Sequence, residues 1–306
     1  MSLGFLFPGQ GSQTVGMLAE LAAAFPIIGE TFAEADDALS LPLTRIVQEG
    51  PAERLSETEI TQPALLTSSV ALWRLWQSRG GAVPVLFAGH SLGEYSALVC
   101  GGAISFADGV RLVHQRGRLM QQAVPRGEGA MAAILGLDDE TVAQCCARVD
   151  GVVSPANFNA PSQVVIAGSA AAVAAAVAQC TTAGAKRAVE LNVSGPFHCA
   201  LMSPVREPFA QELARITLAM PAIPVVHNVD AATAGDTGEL REKLLEQLAR
   251  PVLWTRCVEQ MIAAGVDRFV ECGPGKVLSG LVKRIDRTKV VHNVDSSAGL
   301  EEALSG

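Results

Sequence analysis

Apolar residues fall into two alternating rhythms along the chain, short β-rich runs and longer stretches with helical spacing. Gly4–Phe7 is a compact apolar run followed by helical patterns as far as Arg79, and Val83–Ala88 is a second run followed by helices from Glu94 to Val124. Short buried strands alternating with helices predict an α/β fold with a largely parallel sheet. Between about Gly127 and Leu191 the rhythm changes. The spacing there predicts a strand at Ala130–Leu135, a helix at Asp139–Arg148 and strands at Val152–Asn157 and Gln163–Ala167. A helix at Ala170–Ala183 and a strand at Lys186–Leu191 complete the block. The order βαββαβ is that of a ferredoxin-like unit. Apolar strands resume at Pro224–Val229 and Arg268–Glu271, so residues 126–191 read as a subdomain inserted, with joins near Pro125 and Asn192, into a large domain of residues 1–125 and 192–306.

The hexapeptide Val225-Val226-His227-Asn228-Val229-Asp230 recurs as Val290-Val291-His292-Asn293-Val294-Asp295. Its flanks do not align, so two similar sheet strands explain it better than a repeat architecture does. The uncharged stretch Val164–Ala185 is rich in alanine and contains Gly168, Gln179 and Gly184, which fits a strand, turn and helix and not a membrane span. At the start, the apolar run from Met1 stops at Pro8 and has no basic flank, so it reads as a strand and not a signal peptide.

Composition narrows the class further. With 306 residues, 49% of them hydrophobic and 18% charged, the chain buries a substantial core. A formal charge of −8 argues against nucleic acid as the main partner. The seven cysteines form no C-x-x-C pair and no ligand-like spacing with histidine, which suggests neither a disulfide framework nor a metal site and fits a reducing cytoplasm.

The candidate chemistry centres on Gly89-His90-Ser91-Leu92-Gly93, which joins the Val83–Ala88 strand to a helix-compatible segment from Glu94. That is the context a G-x-S-x-G nucleophile elbow requires, and it makes the large domain α/β-hydrolase-like. The glycines let the turn close, Ser91 is thrust outward, and the following helix N-terminus favours developing negative charge. A serine hydroxyl needs a base. Of five histidines, His90 is too close in sequence and has a supporting hydrogen bond as its natural role, His114 lies on a helix, and His227 and His292 end strands. His198, in the irregular Gly195-Pro196-Phe197-His198 segment where the chain re-enters the large domain, is the candidate base. No acidic residue stands out as a third member.

Two further features bear on the same site. Pro8-Gly9-Gln10-Gly11 ends the first strand and lacks the third glycine of G-x-G-x-x-G, so the N–H groups of Gln10 and Leu92 suit an oxyanion hole better than a phosphate cradle. On the helix near Asp108–Gln122, Arg116 shares a stripe with Leu112, Val113, Leu119 and Met120. An inward guanidinium needs an anion, either a substrate carboxylate or a structural ion-pair partner. Lys186, Arg187, Lys283 and Arg284 stand out on an acidic chain as docking points for an acidic partner, with a solvated face as the alternative.

Taken together, these residues resemble the bacterial malonyl-CoA:acyl carrier protein transacylases of type II fatty acid synthesis. The resemblance spans nearly the whole chain. It rests on Phe7–Gln13, Thr61-Gln62-Pro63-Ala64, Gly89–Glu94, Arg116-Gly117, Gly195–His198, Gln247 ahead of Pro251-Val252, and Gly273-Pro274-Gly275-Lys276. It implies that Ser91 carries a malonyl ester, that His198 is the base, and that the Gln247 backbone carbonyl orients the histidine in place of an aspartate. Arg116 would grip the malonyl carboxylate, Gln10 and Leu92 would form the oxyanion hole, and Gln62 and Asn157 would line the pocket. Phe197 resembles the bulky residue of malonyl-selective members. The implied partners are malonyl-CoA and a separate acyl carrier protein whose phosphopantetheine takes the acyl group; with the composition and motifs above, the expectation is of no cofactor, metal, nucleic acid or membrane and of a monomeric chain. A hydrolase that passes its acyl group to water, and an inert subunit that keeps the fold, are the rival readings.

Overall fold

A computed structural model of the chain describes residues 2–306, so Met1 of the opening strand lies outside the described residues. Among the described residues nine strands form two sheets. The strands are β1 (Ser2–Phe7), β2 (Leu86–Gly89), β3 (Gly129–Leu135), β4 (Val153–Ala160), β5 (Gln163–Ser169), β6 (Arg187–Glu190), β7 (Val225–Val226), β8 (Val266–Glu271) and β9 (Val290–Asn293).

The first sheet has the order β7-β2-β1-β8-β9, and each neighbouring pair is parallel. Chain order reverses at β1, which lies between β2 and β8, and a crevice outside the carboxyl ends of strands at such a point is where α/β proteins bind ligands. Phe5 and Phe87 of the inner strands meet Trp73 and Trp76 of the Thr58–Ser78 helix edge-on, with ring centroids 5.2–5.3 Å apart, and Phe7 packs edge-on against Phe87 at 5.1 Å. That helix is buried along nearly its whole length. The second sheet is antiparallel, has the order β4-β5-β3-β6, and is covered by the helices Asp139–Ala147 and Ala170–Thr182.

The strand readings hold in position and differ in length. Val83–Ala88 becomes Leu86–Gly89, because Pro84 has no N–H for a ladder and Val83 and Val85 are exposed at 77% and 47%. Pro224–Val229 shrinks to Val225–Val226, and the next residues turn to hold the site through side chains. The opening strand gains Ser2 and Leu3, and Arg268–Glu271 gains Val266 and Asp267.

A backbone junction links the second sheet to the first. Val252 donates to Ala156 O and accepts from Phe158 N, both at 2.9 Å, so the 251–253 segment pairs with β4 at Asn157. Leu253 N then donates to Asn228 O at 2.9 Å, which carries the junction back to the first sheet.

Candidate active site

Ser91 sits immediately after β2 and before the Leu92–Cys100 helix, with φ 52° and ψ −105°. Positive φ is costly for a residue with a side chain and survives only where the surroundings impose it. The surroundings here are backbone. A Cβ on Gly93 would stand 1.9 Å from Phe7 O, and one on Gly89 would stand 1.9 Å from the Gly93 carbonyl carbon. The turn is therefore pressed against β1, as close-packed as its glycines allow.

His198 also has positive φ, 60°, and lies in the Gly195–His198 segment that follows the second sheet. Its Nδ1 donates to the Gln247 carbonyl at 2.8 Å, which leaves Nε2 free to accept from Ser91 Oγ at 2.7 Å. Among the described residues no carboxylate takes part in that relay. Burial first, and the nearby Arg116 charge second, hold the His198 imidazole down to about 3, so it is neutral and ready to take a proton.

The other histidines are otherwise engaged. His90 Nε2 donates to Asn159 Oδ1 at 2.8 Å, and its ring lies 5.4 Å from that of Trp254. His114 Nδ1 donates to Glu59 O at 2.8 Å, His227 Nδ1 to Glu94 Oε1 at 2.8 Å, and His292 lies 3.5 Å from Glu302.

Arg116 comes from the Phe106–Gln122 helix, which is capped by Ser105 accepting from Asp108 N. The side chain is 1% exposed. Its Nη1 donates to Gln62 Oε1 at 3.0 Å and its Nη2 to Gln247 Oε1 at 2.9 Å, with Ser91 Oγ 3.4 Å from Nη2. The guanidinium carbon lies 5.1 Å from the centre of the Tyr95 ring, and Nε has no partner. Burial pulls the Arg116 pKa down. Among the described residues it pairs with no carboxylate; its hydrogen-bond partners are neutral. A buried cation with neutral partners is a place for an anion.

In the loop after β1, the Gln10 side-chain Nε2 donates to Thr58 Oγ1 at 3.2 Å, and Thr58 Oγ1 also bonds Ser194 Oγ. Ser91 N donates to Asn228 Oδ1, Gly93 N to His90 O, Glu94 N to Ser91 O and Gly11 N to Gln13 Oε1. Among the described residues the N–H groups of Gln10 and Leu92 meet no protein acceptor, and neither do those of Gly9, Ser12 and Gln13. Leu92 is the first residue of its helix, where the N–H is unpaired by geometry.

Phe197 is 6% exposed and belongs to the main core. Asn157, 9% exposed on β4, has an unpartnered Oδ1, and no hydrogen bond joins it to Ser91, His198 or Arg116. Its neighbour Asn159 is the residue that touches the elbow, through His90. Lys186, Arg187, Lys283 and Arg284 are all exposed, and Arg284 bonds Gln163 Oε1 at 2.6 Å. Among the described residues no group of three or more His, Cys, Asp or Glu side chains could hold a metal ion, and no helix is long and apolar enough to cross a membrane.

Sequence reasoning missed the residues behind the first ring of contacts. Asn228 Nδ2 donates to Gly89 O at 2.7 Å, Gln247 Nε2 donates to Ser91 O at 3.1 Å, and buried Glu94 accepts from both His227 and Asn228 N. The recurring hexapeptide was the available signal for Asn228. Nothing local marked Tyr95 as the platform under Arg116.

Residues 4–298 match the acyl transferase domain family. The malonyl CoA-acyl carrier protein transacylase of Salmonella typhimurium is 57% identical over 303 residues, 98% of either chain, and that of Bacillus subtilis is 47% identical over 305 residues, 99% of this chain and 96% of its own. An acyl carrier protein S-malonyltransferase from Vibrio cholerae superposes with a TM-score of 0.96 at 53% identity, covering 99% of both chains. A malonyl-transacylase solved in complex with its type II PKS acyl-carrier protein superposes at 0.98 with 51% identity, covering 100% of this chain and 99% of its own. At this identity over nearly full length, the chain belongs to the acyl transferase domain family, among the malonyl CoA-acyl carrier protein transacylases.

Proposed function

We propose that the chain transfers the malonyl group of malonyl-CoA to the phosphopantetheine thiol of an acyl carrier protein through an ester on Ser91, supplying malonyl carrier protein for fatty acid biosynthesis. The observation that carries the reading is the 2.7 Å contact between Ser91 Oγ and His198 Nε2 beside a buried cation that pairs with no carboxylate among the described residues.

In the first half-reaction His198 Nε2 takes the Ser91 proton as Oγ attacks the thioester carbonyl. The N–H groups of Gln10 and Leu92 receive the oxyanion, and the proton passes to the departing CoA sulfur. In the second half the carrier thiol gives its proton to His198 and attacks the malonyl ester, and the proton returns to Ser91 Oγ. The Gln247 carbonyl stabilises the imidazolium that forms transiently in each half. Arg116 holds the malonyl carboxylate by its fork, Gln62 orients the guanidinium, Phe197 crowds an α-methyl branch, and Asn157 lines the pocket. Serine and imidazole supply nucleophile and base, so the reaction as written draws on no cofactor or metal. Lys186, Arg187, Lys283 and Arg284 offer an acidic carrier its docking points.

Residues 1–125 and 192–306 form, in this reading, an α/β-hydrolase-like domain, and 126–191 an inserted ferredoxin-like subdomain. The antiparallel order β4-β5-β3-β6 supports the second assignment. The chain acts as a cytoplasmic monomer.

The deciding experiment is the intact mass of wild type and Ser91→Ala after mixing with malonyl-CoA, repeated after adding phosphopantetheinylated carrier protein. One malonyl adduct on wild type alone, moving to the carrier, is the expected result. An adduct lost to water as fast as to carrier would replace the transferase by a hydrolase.

A further inference from the structure

The hexapeptide that occurs twice in the sequence lies at the two outer strands of the parallel sheet, β7 and β9. In each copy the asparagine clamps the loop that follows the neighbouring inner strand. Asn293 Nδ2 donates to the carbonyl of Gly275, in the loop after β8, and Asp295 Oδ2 accepts from Gly275 N at 3.0 Å. Asn228 grips the loop after β2 with its amide alone. Its Nδ2 donates to Gly89 O and its Oδ1 accepts from Ser91 N, both at 2.7 Å. Both sides of the sharp turn are thus tied to one amide, and only this copy holds the serine.

Asn228 is fully buried, and its own backbone is fixed by Glu94 Oε2, which accepts from its N–H at 2.8 Å, and by Leu253 N, which donates to its carbonyl at 2.9 Å. Its Oδ1 also lies 3.4 Å from Gln247 Nε2, and the Gln247 carbonyl is what orients His198. The Ser91 backbone occupies a region it would leave if free, so the direction of Oγ depends on what grips the turn. A carboxylate could accept from Ser91 N but could not donate to Gly89 O. An amide does both.

We propose that Asn228 is a positioning residue for acyl transfer, the amide that holds the Ser91 turn and, through Gln247, the His198 ring in register. The proposal deepens the transferase reading and rests on it for the choice of substrate. The reactivity of Ser91 toward a small neutral reagent tests it separately.

The experiment compares wild type, Asn228→Ala, Asn228→Asp and Asn293→Ala. It measures kcat and KM for malonyl-CoA, the rate of sulfonylation by phenylmethanesulfonyl fluoride, and the thermal midpoint, with rates normalised to titrated serine. Misplacement of reacting atoms by about 1 Å costs about 10² in rate, so Asn228→Ala is expected to lower kcat and the sulfonylation rate together by about 10- to 100-fold. KM should stay within about threefold, because Asn228 bonds neither Arg116 nor Gln62 and the Arg116–Gln62 contact is kept. Asn293→Ala should lose thermal stability with both rates within about threefold of wild type. Asn228→Asp keeps the acceptor, loses the donor and adds a negative charge near His198, whose charged or titratable neighbours are Arg116 and His90. Its kcat should fall and its acid limb should move to higher pH.

Asn228→Ala with reduced stability but rates matching Asn293→Ala would overturn the proposal. Should Asn228→Ala not fold, an Asn228→Asp enzyme with wild-type kcat and acid limb would overturn it equally. A wild type that is sulfonylated on Ser91 yet transfers no malonyl group would instead sink the transferase reading, and the sulfonylation ratio would still decide the role of Asn228.

Discussion

Arg116→Ala separates donors by charge. In the folded chain the guanidinium is 1% exposed and spends its hydrogen bonds on the neutral side chains of Gln62 and Gln247. A malonyl carboxylate would supply the missing anion, and breaking a buried pair of this kind costs about 3–5 kcal/mol. At about 1.4 kcal/mol per factor of ten, that is a loss of about a hundredfold to a few thousandfold in malonyl kcat/KM. Acetyl-CoA has no carboxylate, so in wild type it leaves the cation facing a methyl group. The alanine variant removes that mismatch, and acetyl transfer should hold steady or rise. Rapid-quench single turnovers, read as acyl-enzyme by intact mass with each donor, give both numbers. Arg116 Nη2 is also 3.4 Å from Ser91 Oγ, so the reasoning has a clear competitor. An equal loss with both donors would mean that Arg116 serves the nucleophile and not the carboxylate.

The low His198 pKa has two consequences. Because the imidazole is held down to about 3 by burial and by Arg116, the acid limb of malonyl kcat/KM should lie below the ordinary value of 6.5. Arg116→Ala should move the acid limb of acetyl transfer to higher pH, and a limb that stays put would refute the charge account. In the unfolded chain the same imidazole takes up a proton that the folded chain refuses. Folding stability should therefore be fully present above 6.5 and fall with pH down to about 3, by at most about 1.4 kcal/mol per pH unit from this group. Denaturant melts of His198→Gln should show a shallower fall. Gly93→Ala would put a methyl 1.9 Å from Phe7 O, at or beyond the upper end of the about 1–3 kcal/mol that overpacking costs. An unchanged thermal midpoint would contradict the contact between elbow and β1. Phe197→Ser should raise methylmalonyl over malonyl transfer by about 10- to 200-fold, the usual worth of one methyl group in a pocket, and an unaltered ratio in parallel acylation assays would remove Phe197 from selectivity.

The fold was legible where burial imposes a pattern. Inner strands of the parallel sheet are covered on both faces, so β1 and β2 read as short apolar runs, and the second sheet showed its element order through alternation with two helices. The outer strand β7 was misjudged in length for a physical reason. His227 and Asn228 lie between Val226 and Val229 in the sequence, but their side chains and the Asn228 N–H are committed to Glu94 and Gly89, which ends the ladder after Val226.

The site divides along the same line. Ser91 was legible because an elbow needs glycines at fixed offsets, a local demand that only local residues can meet, and the close approaches at Gly89 and Gly93 show why. His198 could be reached by elimination, since each other histidine has a local or strand-end setting. Its orienting group could not be deduced from spacing, because a backbone carbonyl has no residue type, and any of the chain's carbonyls would have looked the same. Arg116 was visible as a charge on an apolar stripe, but Tyr95 beneath it is an ordinary aromatic of a buried helix until the two helices are packed together. Asn228 is the limiting case. Its type, its place at a strand end and its recurrence at Asn293 were all in the sequence, yet which loop each copy holds depends on the neighbouring strand. That difference is set by the order β7-β2 against β8-β9, a property of the sheet and not of the hexapeptide.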